Sequence, residues 1–323
     1  MLSFSKLIKY VTWLNFKRIS LMFAPTAEGI IMKVLKVIKI DNNNVLNKEK
    51  QPDNKKPCPK PPIKWAGGKS QLLSQFIPLF PERIEYYIEP FLGGGAVFFY
   101  LLPSKAVLID SNEELVNFYK VVQSNLPALL KDLEKHQNAR DYFYRIRAAD
   151  VNKMTEVERA SRFLYLNKTA YNGLFRVNRN GQFNVPFGNY KKPKIKDKEN
   201  LNQVSKALKG VEILTGDFER VLKYAQKGAF IYLDPPYHPL SVTARFTSYT
   251  SNDFGVEDQK RLAVVFRKLD QKGCLVMLSN SDTPLIKELY RGYNIAKVYA
   301  RRAINCKGNK RGVITELVIR NYG

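Results

Sequence analysis

The chain has 323 residues, 45% of them hydrophobic and 12% aromatic, with 53 Lys plus Arg against 29 Asp plus Glu, a formal net charge of +24 and a pI near 9.8. That is ample material for one large core with a smaller appended module, and so large a basic excess speaks for an anionic partner rather than for a fold: DNA, RNA or an anionic membrane would each be served by charge alone. The only histidines are His136 and His238, and Cys58, Cys274 and Cys306 show no metal-ligand spacing, which argues against a zinc centre or a histidine-based hydrolase and, with an odd cysteine count, fits a reducing cytoplasm.

Residues 1 to 60 read as an N-terminal extension that is expected to be poorly ordered. Lys6, Lys9, Lys17 and Arg18 interrupt its first apolar pieces, and Pro25 and Glu28 the next, so no run reaches the length of a membrane span. No ordered n-region, apolar block and cleavage site marks a secretory signal. From Asp41-Asn-Asn-Asn44 to Lys55-Lys-Pro-Cys-Pro-Lys60 the composition is that of a linker.

Lys64-Trp-Ala-Gly-Gly-Lys-Ser70 tempts toward a phosphate-binding P-loop, but that motif needs glycine at 63, where the chain has Ile63. Trp65 and Lys69 better suit an aromatic wall and a cation flanking a cofactor. Tyr87-Ile-Glu-Pro-Phe-Leu-Gly-Gly-Gly-Ala-Val-Phe-Phe99 follows as a short strand, a glycine turn and the start of a helix. Gly93, Gly94 and Gly95 let the backbone approach a ligand closely. The dinucleotide fingerprint fails, because Phe98 replaces its third glycine, and the pattern fits S-adenosylmethionine better. The run Ala106-Val-Leu-Ile109 then ends in Asp110, at the position that meets ribose hydroxyls in doubly wound sheets. The same aspartate could cap the helix that begins near Asn112-Glu113-Glu114, alone or in addition to that role.

Strands near 86–89, 106–109, 211–214, 230–233, 274–279 and 314–319 alternate with helices near 112–123, 256–271 and 283–290, which is α/β alternation. Gly93 to Gly95, Asp110, Asp217 and Asp234 all fall at the carboxyl ends of strands, where such sheets bind ligands. A block from 135 to 200, rich in Tyr, Phe, Arg and Asn, suits an inserted recognition lobe between catalytic segments 61–134 and 201–323. Within it, Asn180-Gly181 signals a two-residue hairpin turn between Phe175-Arg-Val177 and Phe183-Asn-Val185. Arg176 on that hairpin can donate twice to a guanine edge.

The segment Ile231-Tyr-Leu-Asp-Pro-Pro-Tyr237 carries the chemistry. An exocyclic amine on adenine or cytosine is a poor nucleophile, since its lone pair is delocalised into the ring. The Asp234 carboxylate and the Pro235 carbonyl can accept its two N–H hydrogens and so localise the lone pair. Two consecutive prolines, Pro235 and Pro236, fix the backbone that presents these oxygens, and Tyr237 offers a ring face for an extruded base. An ordinary strand end with a proline-stiffened turn is the competing reading. Further on, 246–254 reads as a loop over the target base. Cys274 sits in an apolar run as a small buried hydrophobe, and Ala300-Arg-Arg302 with Lys307–Arg311 reads as a basic turn, solvated or gripping phosphates.

Taken together, Lys64-Trp-Ala-Gly-Gly-Lys69, Glu89-Pro-Phe-Leu-Gly-Gly-Gly95, Asp110, Phe163-Leu-Tyr-Leu-Asn-Lys168, Tyr171-Asn-Gly-Leu174, Phe183-Asn-Val-Pro-Phe-Gly188, Gly216-Asp-Phe-Glu219, Asp234-Pro-Pro-Tyr237 and Leu278-Ser-Asn280 stand in one order. From about residue 60 to 320 the chain resembles the Dam-type (class alpha, D12) DNA adenine-N6 methyltransferases. The resemblance implies a Rossmann-like S-adenosylmethionine-dependent methyltransferase sheet with an inserted, mostly helical DNA-recognition lobe carrying a β-hairpin. It implies methyl transfer from S-adenosyl-L-methionine to N6 of adenine in double-stranded DNA, within GATC, by base flipping. Asp234, Pro235, Pro236 and Tyr237 would be catalytic. Trp65, Lys69, Glu89, Phe91, Gly93, Gly95, Asp110, Asp217, Phe218 and Asp234 would lie at the cofactor. Lys64, Tyr171, Asn172, Leu174, Arg176, Asn178, Pro186, Tyr190 and Lys191 would meet DNA. No metal and no membrane are implied, and the expected setting is cytoplasmic (bacterial, nucleoid-associated or phage-encoded), as a monomer or a weak dimer on DNA. Replication control, mismatch repair and restriction-modification all stay open as roles. Cytosine-N4 methylation and a catalytically silent DNA-binding protein are the alternatives; RNA or protein-glutamine methyltransferases usually place asparagine where this chain has Asp234.

Overall fold

The computed structural model describes residues 58–239, 254–301 and 313–323. The expected N-terminal extension up to residue 57, the expected loop over the base apart from Phe254, and the basic turn apart from Ala300 and Arg301, which belong to a strand, lie outside the described residues.

Seven strands form one sheet: β1 (Tyr86–Glu89), β2 (Lys105–Asp110), β3 (Glu212–Thr215), β4 (Phe230–Leu233), β5 (Leu275–Ser281), β6 (Asn294–Arg301) and β7 (Val313–Arg320). Their order is β3-β2-β1-β4-β5-β7-β6. The first five pair in parallel, with Ile88 level with Val107 on one side and with Ile231 on the other, while β7 enters antiparallel between β5 and β6. Strand β4 is apolar along its whole length because both faces of the sheet are covered there; all four of its residues are buried. Alternate residues go to opposite faces. Tyr87, Leu108, Phe230, Tyr232, Met277 and Val318 join one core, and Ile88, Val107, Ile109, Ile231, Val276 and Ile319 the other.

The first face is covered by α1 (Leu73–Phe76), α2 (Ala96–Leu101), α3 (Glu113–Ser124) and α4 (Leu126–Asp132). The insertion adds α5 (Arg140–Ala148) and α6 (Glu156–Thr169), after which α7 (Lys198–Ala207) packs back on the same core. The second face is covered by α8 (Val221–Tyr224), α9 (Val256–Gln271) and α10 (Pro284–Leu289). Helix α6 starts at a capping box, in which Thr155 and Glu158 satisfy each other's backbone N–H groups. It serves two cores. Phe163 and Leu164 face the sheet, whereas Tyr165 and Leu166 gather Phe143, Phe183 and Val185 into a small cluster of the insertion's own.

The expected strands and helices agree with the observed ones to within one or two residues at each end. Strand β6, left without bounds by the sequence, forms the edge of the sheet. There the Gln75 side chain bonds both backbone groups of Tyr299, its Nε2 donating to the carbonyl at 3.0 Å and its Oε1 accepting from the N–H at 2.9 Å. It stands in for a neighbouring strand and blunts the edge.

The sheet runs outward from β1 in one direction through β2 and β3, and from β4 in the other. Ligands of doubly wound sheets bind at such a switch point, beyond the carboxyl ends of the strands. The glycine turn leaves β1 and the Asp-Pro-Pro-Tyr segment leaves β4, so the fold sets both beside it.

Candidate active site

Strand β4 delivers Asp234 to the sheet rim. Its Oδ2 forms an ion pair with Lys69 Nζ at 2.8 Å, while its Oδ1 is buried and has no hydrogen-bond partner. An unsatisfied buried carboxylate oxygen costs stability. Desolvation by burial pushes the Asp234 carboxyl up to about 6, against the opposing pull of Lys69 and with a further push from Glu316. Lys69 is 5% exposed and also donates to the Gly67 carbonyl. Its ammonium lies 4.8 Å from the Tyr237 ring centroid, over one face.

Three distant elements hold the acceptor segment still. From α9, Gln259 Nε2 donates to the Pro236 carbonyl at 2.9 Å, and Gln259 Oε1 accepts from Asn280 Nδ2 on β5 at 2.9 Å. Asn280 Oδ1 accepts the His238 N–H at 3.2 Å, and Ser281 Oγ donates to the His238 carbonyl at 2.7 Å. From β7, Glu316 Oε2 accepts the Tyr237 hydroxyl at 2.7 Å.

The glycine turn lies on the other side of the switch point. Gly93 has φ +47° and Gly95 φ +67°. The Gly93 N–H donates to Asp110 Oδ2 and the Asn112 N–H to Asp110 Oδ1, each at 2.9 Å, so both carboxylate oxygens brace the turn. The helix cap expected of Asp110 falls instead to Asn112, whose Oδ1 accepts from the Leu115 N–H at 3.1 Å. Trp65 leans on the turn: a Cβ at Gly93 would sit 2.6 Å from the indole Cδ1. Glu89 is 2% exposed, accepts from the Tyr87 hydroxyl at 2.9 Å and is held well above the carboxylate range by burial, with Asp234 and Asp110 both adding to the push. Asp234 and the turn therefore share one neighbourhood. Phe91 stacks on Phe218 at 5.4 Å, and Phe254 meets both rings edge-on or tilted. Asp217 caps the turn at Phe218 through the Glu219 N–H at 2.9 Å and pairs with Arg261 at 3.2 Å.

Gly93→Ala tests the turn. A left-handed φ costs an L-residue roughly 1–2 kcal/mol, and the new methyl would also displace the indole, so cofactor affinity is expected to drop by about 10-fold or more, read by calorimetric titration with S-adenosylhomocysteine.

The residues expected at DNA sit on the insertion and on the strap at Lys64. Tyr171 is 52% exposed and Asn172 takes a left-handed φ of 54°. The Pro186 carbonyl accepts the Tyr171 N–H at 2.9 Å. Lys64 Nζ lies 4.5 Å from the Tyr190 ring centroid, Leu174 is half-buried and Lys191 exposed. Exposed Arg176 bonds Asn184 Oδ1 through Nε at 2.7 Å. The hairpin closes differently from the sequence expectation. Asn178 accepts the Gly181 N–H on its carbonyl at 2.9 Å, and its side-chain oxygen accepts from Asn180 and Gln182 at 3.0 Å each. Only Gly181, at φ +74°, is left-handed, so the connection is a three-residue loop over 179–181 with a glycine bulge, not a two-residue primed turn. Phe183, at 7% exposure, and Phe187, against Phe143 at 5.3 Å, belong to the insertion's core.

Among the described residues, no group of three or more His, Cys, Asp or Glu is placed to hold a metal ion, and no helix is long and apolar enough to cross a membrane. Residues 65–304 match the family model of D12 class N6 adenine-specific DNA methyltransferases. The chain belongs to this family. It is 48% identical over 272 residues to the type II methyltransferase M1.LlaDCHI of Lactococcus lactis subsp. cremoris, covering 82% of this chain and 96% of that one. It is 49% identical over 287 residues to the type II methyltransferase M.MjaIII of Methanocaldococcus jannaschii, covering 81% and 99%. The DNA adenine methylase of Escherichia coli K12 is 35% identical over 260 residues, 79% of this chain and 93% of that one. As a D12 methyltransferase the protein is an adenine-N6 DNA methyltransferase, its sheet is the Rossmann-like sheet of that enzyme class, and DNA is its substrate.

Gln259 and Glu316 escaped the sequence reading. The one available signal was Gln259 itself, a polar residue heading the buried stripe of Leu262, Ala263, Phe266 and Leu269 on α9 and fully buried with it.

Proposed function

We propose that this D12 methyltransferase transfers a methyl group from S-adenosyl-L-methionine to N6 of an adenine flipped out of duplex DNA, within GATC. One observation carries the reading: Asp234 Oδ1 is buried without a partner while Lys69 engages Oδ2. A carboxylate so arranged is oriented, charged and short of one donor, which an exocyclic N–H supplies.

Trp65, Gly93, Gly95 and Asp110 would hold the cofactor at the turn, with Phe91, Phe218 and Asp217 beside them and Lys69 and Glu89 beneath. Their fit rests on the turn itself, in which left-handed Gly93 and Gly95 present bare backbone beside the Trp65 indole. S-adenosylmethionine supplies an electrophilic methyl on a sulfonium. Asp234 Oδ1 and the Pro235 carbonyl accept the two amino hydrogens, which draws the nitrogen lone pair out of the ring. Tyr237, fixed by Glu316, offers a ring for stacking, worth roughly 1–3 kcal/mol, against the few kcal/mol that extruding a base costs. Residues 135–200 act as the recognition lobe, in which Tyr171, Asn172, Leu174, Arg176, Asn178, Pro186, Tyr190 and Lys191, with Lys64, approach the site. A single copy suffices for this chemistry, and a cytoplasmic, nucleoid-bound enzyme or a phage-encoded one fits it. Curated relatives named type II methyltransferases favour a restriction-modification setting.

The test is incubation of the protein with methyl-labelled S-adenosylmethionine and duplexes containing GATC or single-base variants, followed by digestion with nucleases that discriminate N6-methyladenine. Label on cytosine, or none on DNA, would refute the reading. Two finer outcomes follow. Arg176→Ala should lower the preference for GATC over near-cognate duplexes by the 1–3 kcal/mol of a lost guanine contact, about 5- to 150-fold, while slowing the cognate reaction less; competition assays read both. Given the net charge of +24, DNA affinity should fall about 10³-fold or more between 50 and 200 mM salt if six or more phosphates are neutralised, measured by fluorescence anisotropy.

A further inference from the structure

Between the glycine turn and the recognition hairpin lies a buried amide that neither site accounts for. Asn167, near the end of α6, is 1% exposed. Its Oδ1 accepts the Lys64 N–H at 2.9 Å and its Nδ2 donates to the Lys64 carbonyl at 2.7 Å, gripping one residue's backbone from both sides. The second Nδ2 hydrogen goes to the Gly173 carbonyl at 3.1 Å. Gly173 itself, at φ +63°, has no room for a Cβ beside the Lys64 side chain. The next residue, Trp65, leans on Gly93 and Gly94 and stacks on Phe175 with centroids 5.8 Å apart and planes 25° apart. Phe175 in turn packs on Phe183 across the hairpin at 5.6 Å.

We infer that Asn167 is a positioning residue that couples cofactor binding to DNA binding, by locking the Lys64–Trp65 strap to the Tyr171–Gly173 segment. This rests on the proposed assignment of the glycine turn to the cofactor and of the hairpin to DNA. Whatever settles Trp65 on the turn also fixes the strap; through the Asn167 amide it fixes the left-handed Asn172 turn, and through the indole it seats Phe175. A ligand at either end then meets less disorder at the other, so the coupling is positive, and thermodynamics makes it reciprocal.

The measurement is the affinity of the full chain for a labelled GATC duplex with and without saturating S-adenosylhomocysteine, and the reverse titration by calorimetry. Wild-type protein should show a coupling factor of about 10, within the usual 5- to 150-fold range, equal in both directions. Asn167→Leu, which matches the volume without hydrogen bonds, and Asn167→Asp, which keeps the acceptor and loses both donors, should reduce the factor to within about 2 while each ligand alone still binds. Phe175→Leu should reduce it in part. A factor unchanged in the variants overturns the inference, as does a wild-type factor of one, even when both ligands bind. Wild-type protein that binds neither ligand refutes the proposed function instead. If Asn167→Leu fails to fold, shown by the absence of a cooperative melt, Asn167→Asp and Phe175→Leu decide: retention of the full factor in both overturns the idea. Loss of both binary affinities in a folded Asn167 variant reveals a purely structural role and overturns it too.

Discussion

Replacing Asp234 with alanine or asparagine is expected to lower kcat for methyl transfer by about 10³-fold or more, at or beyond the upper end of what losing one preorganised hydrogen-bonding group costs, while the protein still folds and binds duplex DNA. Alanine removes both oxygens. Asparagine is the sharper probe because its shape is right and its polarity is wrong on one side. Lys69, which now pairs with Oδ2 at 2.8 Å, would claim the amide oxygen. The amide NH₂ would then occupy the place of the unpartnered Oδ1 and face the amino group of the target with a second donor. Single-turnover assays separate this from a binding defect, and circular dichroism with a thermal melt checks the fold. An asparagine variant with wild-type single-turnover rate would remove Asp234 from the mechanism.

Lys69→Met is expected to move the acid limb of the rate profile upward. The Asp234 carboxyl titrates at about 6, raised by desolvation and restrained first of all by Lys69. Only the ionised form accepts the amine hydrogens, so kcat/KM for the wild type should rise with pH through about 6 and level off near neutrality. Removing an opposite charge at this distance shifts a carboxyl by about 1–3 pH units. The variant should thus be about 2- to 90-fold slower at pH 7, according to the size of the shift, and recover much of its rate near pH 9. For stability the sign is opposite to that of an ordinary salt-bridged aspartate. The folded-state value lies above the ordinary 3.8, so this group favours the fold below about 4 and that contribution is lost as pH rises through about 6. A limb that stays near 6 in Lys69→Met would show that Asp234 does not set it.

Much of the site was legible because its parts are local in sequence. The glycine turn, Asp110 and Asp-Pro-Pro-Tyr each follow an apolar run whose length and end mark a strand, and the rule that such sheets bind ligands at the carboxyl ends of strands put them on one rim, while the strand order came only with the structure. Polar groups arriving from afar were not legible. Gln259 and Glu316 lie 23 and 79 residues from their partners in the acceptor segment, and nothing in a one-dimensional pattern says that an α9 glutamine turns inward. The hairpin shows a different limit. Asn180-Gly181 implied a primed turn, yet Asn178 lies two residues before it with a side chain able to cap the backbone, and that local bond won. Asp110 illustrates a third: the sequence offered it as a helix cap, and only the three-dimensional approach of Gly93 shows its carboxylate bracing the turn while Asn112 takes the cap.

Strand β7 does not join the sheet in the order in which the chain is made. It slips in between β5 and β6 after both have been synthesised, and Glu316 travels with it to meet Tyr237. A chain synthesised only as far as β6 still lacks the carboxylate that accepts the Tyr237 hydroxyl. The bond that holds the Tyr237 hydroxyl is therefore supplied by the same strand that ties β6 to the rest of the sheet.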